Sequence, residues 1–177
     1  MDIGNFHIRR RFPRFSTVCL KKEFQCKEIV GAEVGVFEGE NAKNILEELN
    51  IKKIYLIDNY FFCKEYSKDR LNKAKQKAEN RLKKFKQISW IYKDSEEGIK
   101  EIKEKLDFIY IDADHSYNKS KKDIELAMSK LNPRGLLCGH DFMNQEVARA
   151  VLELKDSFKL NLKTHHDGDW VLLKNDK

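Results

Sequence analysis

The segment DFIYIDADHSYNKSKKD, residues 107–123, joins an apolar run to a polar stretch that leads into a helical pattern. Residues 108–111 have the apolar and aromatic composition of a buried strand. After the polar residues, apolar side chains recur with helical spacing from Ile124 to Leu131. A strand, a polar loop and a helix in this order predict one repeating unit of an α/β fold.

The same alternation extends over most of the chain. Runs typical of strands cover residues 29–37, 52–60, 88–94, 108–111 and 134–142. A helical pattern follows each run, and the final residues predict two strands joined by a tight turn at Asp167-Gly168. We therefore expect a doubly wound, Rossmann-like α/β sheet of about seven strands, mostly parallel with an antiparallel C-terminal hairpin strand.

Length and composition are typical of one globular domain. The chain has 177 residues, of which 41% are hydrophobic and 36% are charged. The four cysteines form no C-x-x-C pair, and the N-terminus has no apolar signal-like run. We expect a cytoplasmic protein with reduced thiols and no membrane partner. The net charge of +6 indicates either a solvated basic face or an anionic partner.

The domain boundaries and two basic segments leave alternatives open. We predict an N-terminal arm over residues 1–28 and one domain over residues 29–177. The arm contains RRRFPRF (residues 9–15), which is interpreted as a flexible arm, an anion contact or a packing segment. The pair His165-His166 precedes the predicted turn and is either exposed or part of a site.

The first cluster of functional candidates is EVGVFEGEN, residues 33–41. Gly35 and Gly39 permit a tight turn and close backbone approach, just before a helix N-terminus with free N–H groups. Glu33 lies in an otherwise apolar strand, where burial is costly without a partner such as an ammonium group. The segment differs from the dinucleotide fingerprint because Phe37 replaces its middle glycine. An ordinary strand-to-helix turn is the alternative.

Carboxylates also end the second and third predicted strands. Asp58 is placed to accept hydrogen bonds from ribose hydroxyls, and a turn cap is the alternative. Asp94 and Glu97 have the spacing of a capping box. Recognition of an adenine ring by Asp94 or Ser95 is the second interpretation.

Two further clusters follow the fourth and fifth strands. Asp112 and Asp114 project to the same side if their segment is extended, and His115 comes next. His140 and Asp141 end the fifth strand. If these strands are neighbours, the five side chains converge and their carboxylates repel one another. A divalent cation, most simply Mg²⁺, would relieve that repulsion. Separate polar loops are the alternative.

Together these segments resemble the class I S-adenosylmethionine-dependent methyltransferases. The closest resemblance is to the methyltransferase domain 24 branch, related to the macrocin, sugar and catechol O-methyltransferases. It covers residues 29–174 and is most specific in the block IDADHSY…GLLCGHDF. The resemblance implies cofactor contacts from ten residues: Glu33, Gly35, Phe37, Gly39, Asn41, Asp58, Asn59, Asp94, Ser95 and Asp112.

The resemblance also implies the chemistry of the other residues. Asp112, His140 and Asp141 would be metal ligands, and Asp114 or His115 would be the general base. The implied activity is S-adenosylmethionine-dependent, divalent-metal-assisted O-methylation of a small molecule such as a sugar or a natural-product intermediate. With about 28 residues before the first strand, we expect the acceptor to be enclosed by a partner subunit of a homo-oligomer, or to be large itself.

Three alternatives to this activity differ in class. A nucleic-acid acceptor is favoured by the lysine-rich residues 68–86 and by Arg9–Arg11, but the sequence has no aromatic-interleaved basic motif and no base-flipping signature. The second alternative is a metal-dependent enzyme of the hydroxylase type, since histidines and aspartates also bind Fe(II). The third is a cofactor-binding module without catalytic activity.

Overall fold

The computed structural model of the chain describes residues 13–61 and 66–174. Its strands are β1 (Ile29–Val34), β2 (Ile51–Ile57), β3 (Ile88–Ile91), β4 (Leu106–Ile111), β5 (Leu131–Gly139), β6 (Leu160–Thr164) and β7 (Trp170–Lys174). They form one sheet in the order β3-β2-β1-β4-β5-β7-β6. The first five are parallel, and β7 is antiparallel to both β5 and β6. The predicted fold class is confirmed.

In the described part of the chain, six helices cover the two faces of the sheet: α1 (Phe15–Phe24), α2 (Glu40–Glu48), α3 (Lys68–Leu82), α4 (Ser95–Glu101), α5 (Tyr117–Lys130) and α6 (Gln145–Ser157). Helices α1 to α3 pack on one face, and α4 to α6 pack on the other. Each face has its own apolar core because successive strand side chains point to opposite sides. Within the described ranges, no helix is long and apolar enough to cross a lipid bilayer.

The described part of the predicted arm is a packed helix. Leu20 and Phe24 of α1 are buried in the core shared with α2 and α3. The side chain of Arg14, just before α1, is buried as well. Residues 14–24 therefore cover the sheet, while Arg9, Arg10 and Arg11 lie outside the described residues.

The fifth strand is shifted from its predicted position. The sequence predicts residues 134–142, whereas β5 covers Leu131–Gly139. It begins earlier because α5 ends at Lys130 and Leu131 already pairs with Leu106 of β4. It ends earlier because Asp141 adopts a left-handed backbone, with a φ of 58°, which turns the chain out of the sheet.

Candidate functional site

The loop after β1 is closed tightly against the neighbouring strand. Gly35 has a φ of 85°, and a Cβ atom at this position would lie 1.9 Å from the carbonyl oxygen of Asp112. A side chain at position 35 would therefore separate the ends of β1 and β4. Gly39, with a φ of 72°, then starts α2 and packs against Ala78 and Leu82 of α3. The turn places the N-terminus of α2 above the end of β1.

A buried acid lies beneath this turn. Glu33 is 1% exposed and accepts a hydrogen bond of 3.0 Å from the side-chain amide of Asn41. The second carboxylate oxygen of Glu33 and the amide oxygen of Asn41 have no partner among the described residues. Burial raises the pKa of Glu33 to about 8, the hydrogen bond from Asn41 opposes the shift, and Asp112 adds to it. These unmatched acceptors fit a cationic group such as an ammonium.

Asp58 ties the end of β2 to the same turn. One of its oxygens accepts hydrogen bonds from the N–H groups of Val36 and Phe37, each 2.9 Å long, and the other accepts from Tyr60 N–H. The hydroxyl of Tyr60 donates to the carbonyl of Phe37 at 2.8 Å. Asp58 thus acts as the turn cap that was the alternative interpretation, and its contact with a ribose stays a prediction.

Asp94 and Ser95 lie beside the end of β3. Asp94 precedes α4 but makes no capping hydrogen bond with its side chain, so the prediction of a capping box is wrong. Its carboxylate instead pairs with Lys119 at 3.0 Å and accepts a hydrogen bond of 3.4 Å from Asn59. The structure therefore brings Asn59 and Asp94 together at the carboxyl ends of β2 and β3.

A second buried acid, Asp123 of α5, lies close to Ser95 and Lys119. It is fully buried, and neither carboxylate oxygen has a hydrogen bond of acceptable geometry in the described part of the chain. Burial raises the pKa of Asp123 to about 7, although Ser95 and Lys119 act in the opposite direction. In the unfolded chain an aspartate has a pKa of about 3.9. Because the pKa is higher in the folded protein, folding favours the protonated form of Asp123.

This difference predicts a pH-dependent stability. Below the pKa that Asp123 has in the unfolded chain, both states are protonated and the shift costs no folding stability. The loss of stability grows as the pH rises toward 7 and is complete above pH 7. We expect Asp123→Asn to raise the free energy of unfolding by about 2–4 kcal/mol at pH 8 and by no more than about 1 kcal/mol at pH 4.5. Urea unfolding at both pH values measures this, with the exposed Asp156→Asn as control. An equal effect of Asp123→Asn at both pH values would contradict the shift.

Four acidic and histidine side chains meet at the ends of β4 and β5. Ile111 pairs with Gly139, so Asp112 and His140 leave the sheet side by side. His115 Nε2 lies 2.9 Å from Asp141 Oδ2 and 3.9 Å from Asp112 Oδ1. The second imidazole, His140, has its Nδ1 at 3.2 Å from Asp141 Oδ1 and 4.0 Å from Asp112 Oδ1. We call these four residues the acid–histidine cluster.

The cluster is arranged to hold positive charge. The nearby carboxylates of Asp112 and Asp141 raise the pKa of His115 to about 11. Burial raises the pKa of Asp141, but hydrogen bonds from His115 and His140 outweigh it and lower that pKa well below its usual range. Without a metal ion, the His115 imidazolium therefore supplies the cation between the two carboxylates.

Three members of the cluster are close enough to one another to hold a metal ion. Ligand atoms of Asp112, His115 and Asp141 all lie within 4.8 Å of one another. The resemblance named His140 rather than His115 as the third ligand. His140 borders the group, and its Nε2 is hydrogen-bonded to the carbonyl of Asp167 at 2.9 Å. Ligation by His140 stays a prediction.

Asp114 occupies the exposed rim of the loop after β4. Its carboxylate accepts hydrogen bonds from the backbone N–H and the hydroxyl of Ser116, the first at 2.8 Å. Ser116 directly precedes α5, so Asp114 shapes the start of that helix. The backbone bends at Ala113, so the extended segment on which the prediction for Asp112 and Asp114 depended is absent.

Sequence reasoning missed a buried polar network next to the cluster. Arg14 Nη1 donates to the Tyr110 hydroxyl at 2.8 Å and to Asp169 Oδ1 at 3.1 Å. Tyr110 donates to the same Asp169 oxygen at 3.0 Å. The signal was weak: a tyrosine inside an apolar run requires a buried hydrogen-bond partner, but the sequence does not show which residue provides it.

The histidine pair of the hairpin lies against α1. The ring of His165 stacks on Phe15 with 5.0 Å between centroids, and His165 Nδ1 lies 3.1 Å from Asp167 Oδ1. Asp167 in turn accepts a hydrogen bond of 3.0 Å from the N–H of Phe15. His165 thus helps to dock the hairpin on the N-terminal helix.

Solved structures with this fold include methyltransferases of several kinds. An rRNA methylase from Streptococcus thermophilus has a TM-score of 0.67 and 16% identity, covering 96% of this chain and 99% of that chain. The O-methyltransferase from Bacillus cereus, solved with SAH, has a TM-score of 0.63 and 14% identity, covering 94% and 84%. The N-methyltransferase NodS from Bradyrhizobium japonicum, also with SAH, has a TM-score of 0.61 and 18% identity, covering 94% and 87%. At these identities the likeness shows a shared fold.

Comparison with protein families gives a more specific result. Residues 32–142 match a family described as Methyltransferase domain, the domain 24 branch that the sequence resembles. No curated protein matches the chain in sequence. The family match covers more than half of the chain and contains the glycine turn, Asp58 and the acid–histidine cluster. The chain therefore belongs to the Methyltransferase domain family and is a class I S-adenosylmethionine-dependent methyltransferase.

Proposed function

We propose that the enzyme methylates a hydroxyl group of a small molecule, such as a sugar or a natural-product intermediate, with the help of a divalent cation. The observation that carries this proposal is the convergence of Asp112, His115 and Asp141 within 4.8 Å, directly after β4 and β5. In open α/β sheets, ligands bind at the carboxyl ends of the strands. The cluster is therefore in the right place to position an acceptor.

The donor set indicates which cations would fit. Two carboxylates suit Mg²⁺ or Mn²⁺, and an imidazole favours a first-row transition metal over Mg²⁺. We therefore expect Mn²⁺ to bind more tightly than Mg²⁺ to Asp112, His115 and Asp141. When bound, such a cation lowers the pKa of a coordinated hydroxyl group and orients it. His140 would hold the Asp141 carboxylate in place through their 3.2 Å contact.

The remaining roles fall to residues around the cluster. We assign Glu33 and Asn41 to the ammonium group of the cofactor. To its nucleoside we assign the residues at the carboxyl ends of β2 and β3, namely Asp58, Asn59, Asp94 and Ser95. If His115 binds the cation, Asp114 at the exposed rim is the proposed acceptor of the hydroxyl proton. A carboxylate there would act by general base catalysis.

Transfer of a labelled methyl group from S-adenosylmethionine tests this proposal. We expect transfer to hydroxyl probes, a catechol and a free sugar among them, to increase with Mn²⁺ and to fall at least tenfold in EDTA. Methyl transfer that EDTA leaves unchanged would contradict the role of the cation. Turnover that requires iron and oxygen without methyl transfer would favour the hydroxylase-type alternative. Cofactor binding without any turnover would favour the inactive module.

A nucleic-acid acceptor is the second candidate, because the structure places aromatic rings beside cations. Phe61 is 70% exposed, with Lys68 Nζ at 5.4 Å from its ring centroid. Lys75 Nζ lies 3.9 Å from the ring centroid of exposed Tyr92. Aromatic rings interleaved with cations are typical of surfaces that bind single strands. This spatial arrangement is not visible as a linear motif.

Ion pairing on the same helix makes this candidate the weaker one. Arg70 and Lys77 of α3 both pair with Glu38, at 3.3 Å and 3.0 Å. Cations that are paired with a carboxylate bind phosphates less well, so the small-molecule acceptor is our first proposal. Anisotropy of a labelled single-stranded RNA at 50 and 200 mM salt distinguishes the two: an affinity that falls with salt and is lost in Tyr92→Ala would favour nucleic acid.

A further inference from the structure

Three neighbouring residues carry buried polar atoms whose hydrogen-bonding capacity is unused. In Arg14, which is 3% exposed, Nε and Nη2 have no acceptor within residues 13–61 and 66–174. One oxygen of Glu33 and the amide oxygen of Asn41 likewise lack a donor there. Buried donors and acceptors are rarely left unmatched, because each costs about 1–3 kcal/mol. The set therefore points to a ligand.

The fold brings these residues to one face of the sheet. Glu33 of β1 pairs in register with Tyr110 of β4, so their side chains point to the same side. The Tyr110 hydroxyl accepts the hydrogen bond from Arg14 Nη1, and Asn41 donates to the Glu33 carboxylate. Arg14, just before α1, and Asn41 of α2 consequently approach Glu33 from two helices.

Electrostatics support this proximity. The charge of Arg14 lowers the pKa of Glu33. Burial lowers the pKa of Arg14, but Tyr110, Asp112 and Asp169 raise it above its ordinary value. Within the described ranges, Asp169 is the carboxylate within salt-bridge distance of Arg14, at 3.1 Å. That contact occupies Nη1, whereas Nε and Nη2 on the other edge of the guanidinium are buried without an acceptor among the described residues.

The unused atoms match the two charges of an α-amino acid. We propose that Arg14 Nε and Nη2 bind the carboxylate of the methionine part of the cofactor, beside the ammonium group that the proposed function already assigns to Glu33 and Asn41. This assignment rests on the cofactor class of the family. A guanidinium forms two parallel hydrogen bonds to a carboxylate, which a lysine cannot do. Tyr110 and Asp169 would hold the guanidinium group of Arg14 in position.

Calorimetric titration with two ligands tests the assignment. S-adenosylhomocysteine contains the amino-acid part, whereas 5′-methylthioadenosine keeps the thioether and the nucleoside without it. Arg14→Lys keeps a positive charge beside Asp169. We expect it to weaken the binding of S-adenosylhomocysteine about 10- to 100-fold and the binding of 5′-methylthioadenosine less than twofold. Arg149→Lys, at an exposed arginine, is the matched control and should alter neither affinity.

The outcomes separate the possible failures. If Arg14→Lys weakens both ligands equally, Arg14 only supports the fold and the assignment is overturned. If the wild-type protein binds neither ligand, the cofactor class itself fails. Should Arg14→Lys not fold, wild-type protein labelled with ¹⁵N-arginine decides: the Nε–H resonance of the buried arginine should shift with S-adenosylhomocysteine and stay in place with 5′-methylthioadenosine. No ligand-specific shift would overturn the assignment.

Discussion

Asp141→Asn is expected to reduce Mn²⁺-dependent methyl transfer by about 10²- to 10³-fold, because it removes a charged ligand and one of the two carboxylates that hold the cation. Asp141 Oδ2 lies 2.9 Å from His115, and Oδ1 lies 3.2 Å from His140, so both oxygens face the cluster. The amide of asparagine keeps the shape and loses the charge. The measurement is the rate of methyl transfer over a range of Mn²⁺ concentrations.

The backbone makes this substitution a clean test. Asp141 has a φ of 58°, in the left-handed region that asparagine tolerates as well as aspartate does. The substitution therefore adds no backbone strain, and any fall in the melting temperature reports the loss of the ion pairs with His115 and His140. Asp156→Asn on α6 is the matched control, because Asp156 is exposed and pairs with Lys155. Equal rates in wild type and Asp141→Asn at every Mn²⁺ concentration would show that Asp141 is not a ligand.

Binding of S-adenosylhomocysteine at pH 7 is expected to release about one proton, and Glu33 is its source. Burial gives Glu33 a pKa of about 8 in the ligand-free protein, so the carboxyl is mostly protonated at pH 7. An ammonium group beside it favours the charged form and lowers this pKa below 7. The proton is then lost on binding.

Calorimetry in two buffers measures this release. The observed binding enthalpy in phosphate and in Tris at pH 7 differs in proportion to the number of protons transferred. We expect Glu33→Gln to abolish the difference between the two binding enthalpies and to weaken the binding of S-adenosylhomocysteine about 10- to 100-fold. The control ligand 5′-methylthioadenosine has no ammonium group and should release no proton. Proton release that persists in Glu33→Gln would assign it to another group.

The fold could be predicted because its signals are local. Each strand of the parallel part is an apolar run, and each following helix has an apolar stripe, so the order of elements is visible in the sequence. Helix α1 lacks such a stripe because two of its buried residues, Ser16 and Thr17, are polar. Ser16 N–H donates to Asp169 at 3.0 Å, a partner far away in the sequence. Only the tertiary structure explains their burial.

The candidate site could likewise be predicted only where its signals are local. Asp112 and Asp141 could be anticipated together because parallel neighbouring strands end at the same edge of the sheet. The turn after β4 decides that His115 faces Asp141 while Asp114 accepts hydrogen bonds from Ser116 just before α5. The backbone bends in this turn, whereas the sequence suggested an extended segment. Arg14 and Asp169 come from opposite ends of the chain, so their pairing had no sequence signal.

Titration of Mn²⁺ into the protein saturated with S-adenosylhomocysteine tests the central claim most directly, because it observes the cation without requiring an acceptor. The account predicts one Mn²⁺ per chain in the wild type, at least 100-fold weaker binding in Asp141→Asn, and unchanged binding in Asp156→Asn. Tight binding of S-adenosylhomocysteine with no Mn²⁺ binding at any concentration up to 1 mM, roughly the weak limit of dedicated protein cation sites, would contradict it. The acid–histidine cluster would then hold only the proton of His115, and the enzyme would transfer methyl groups without a metal.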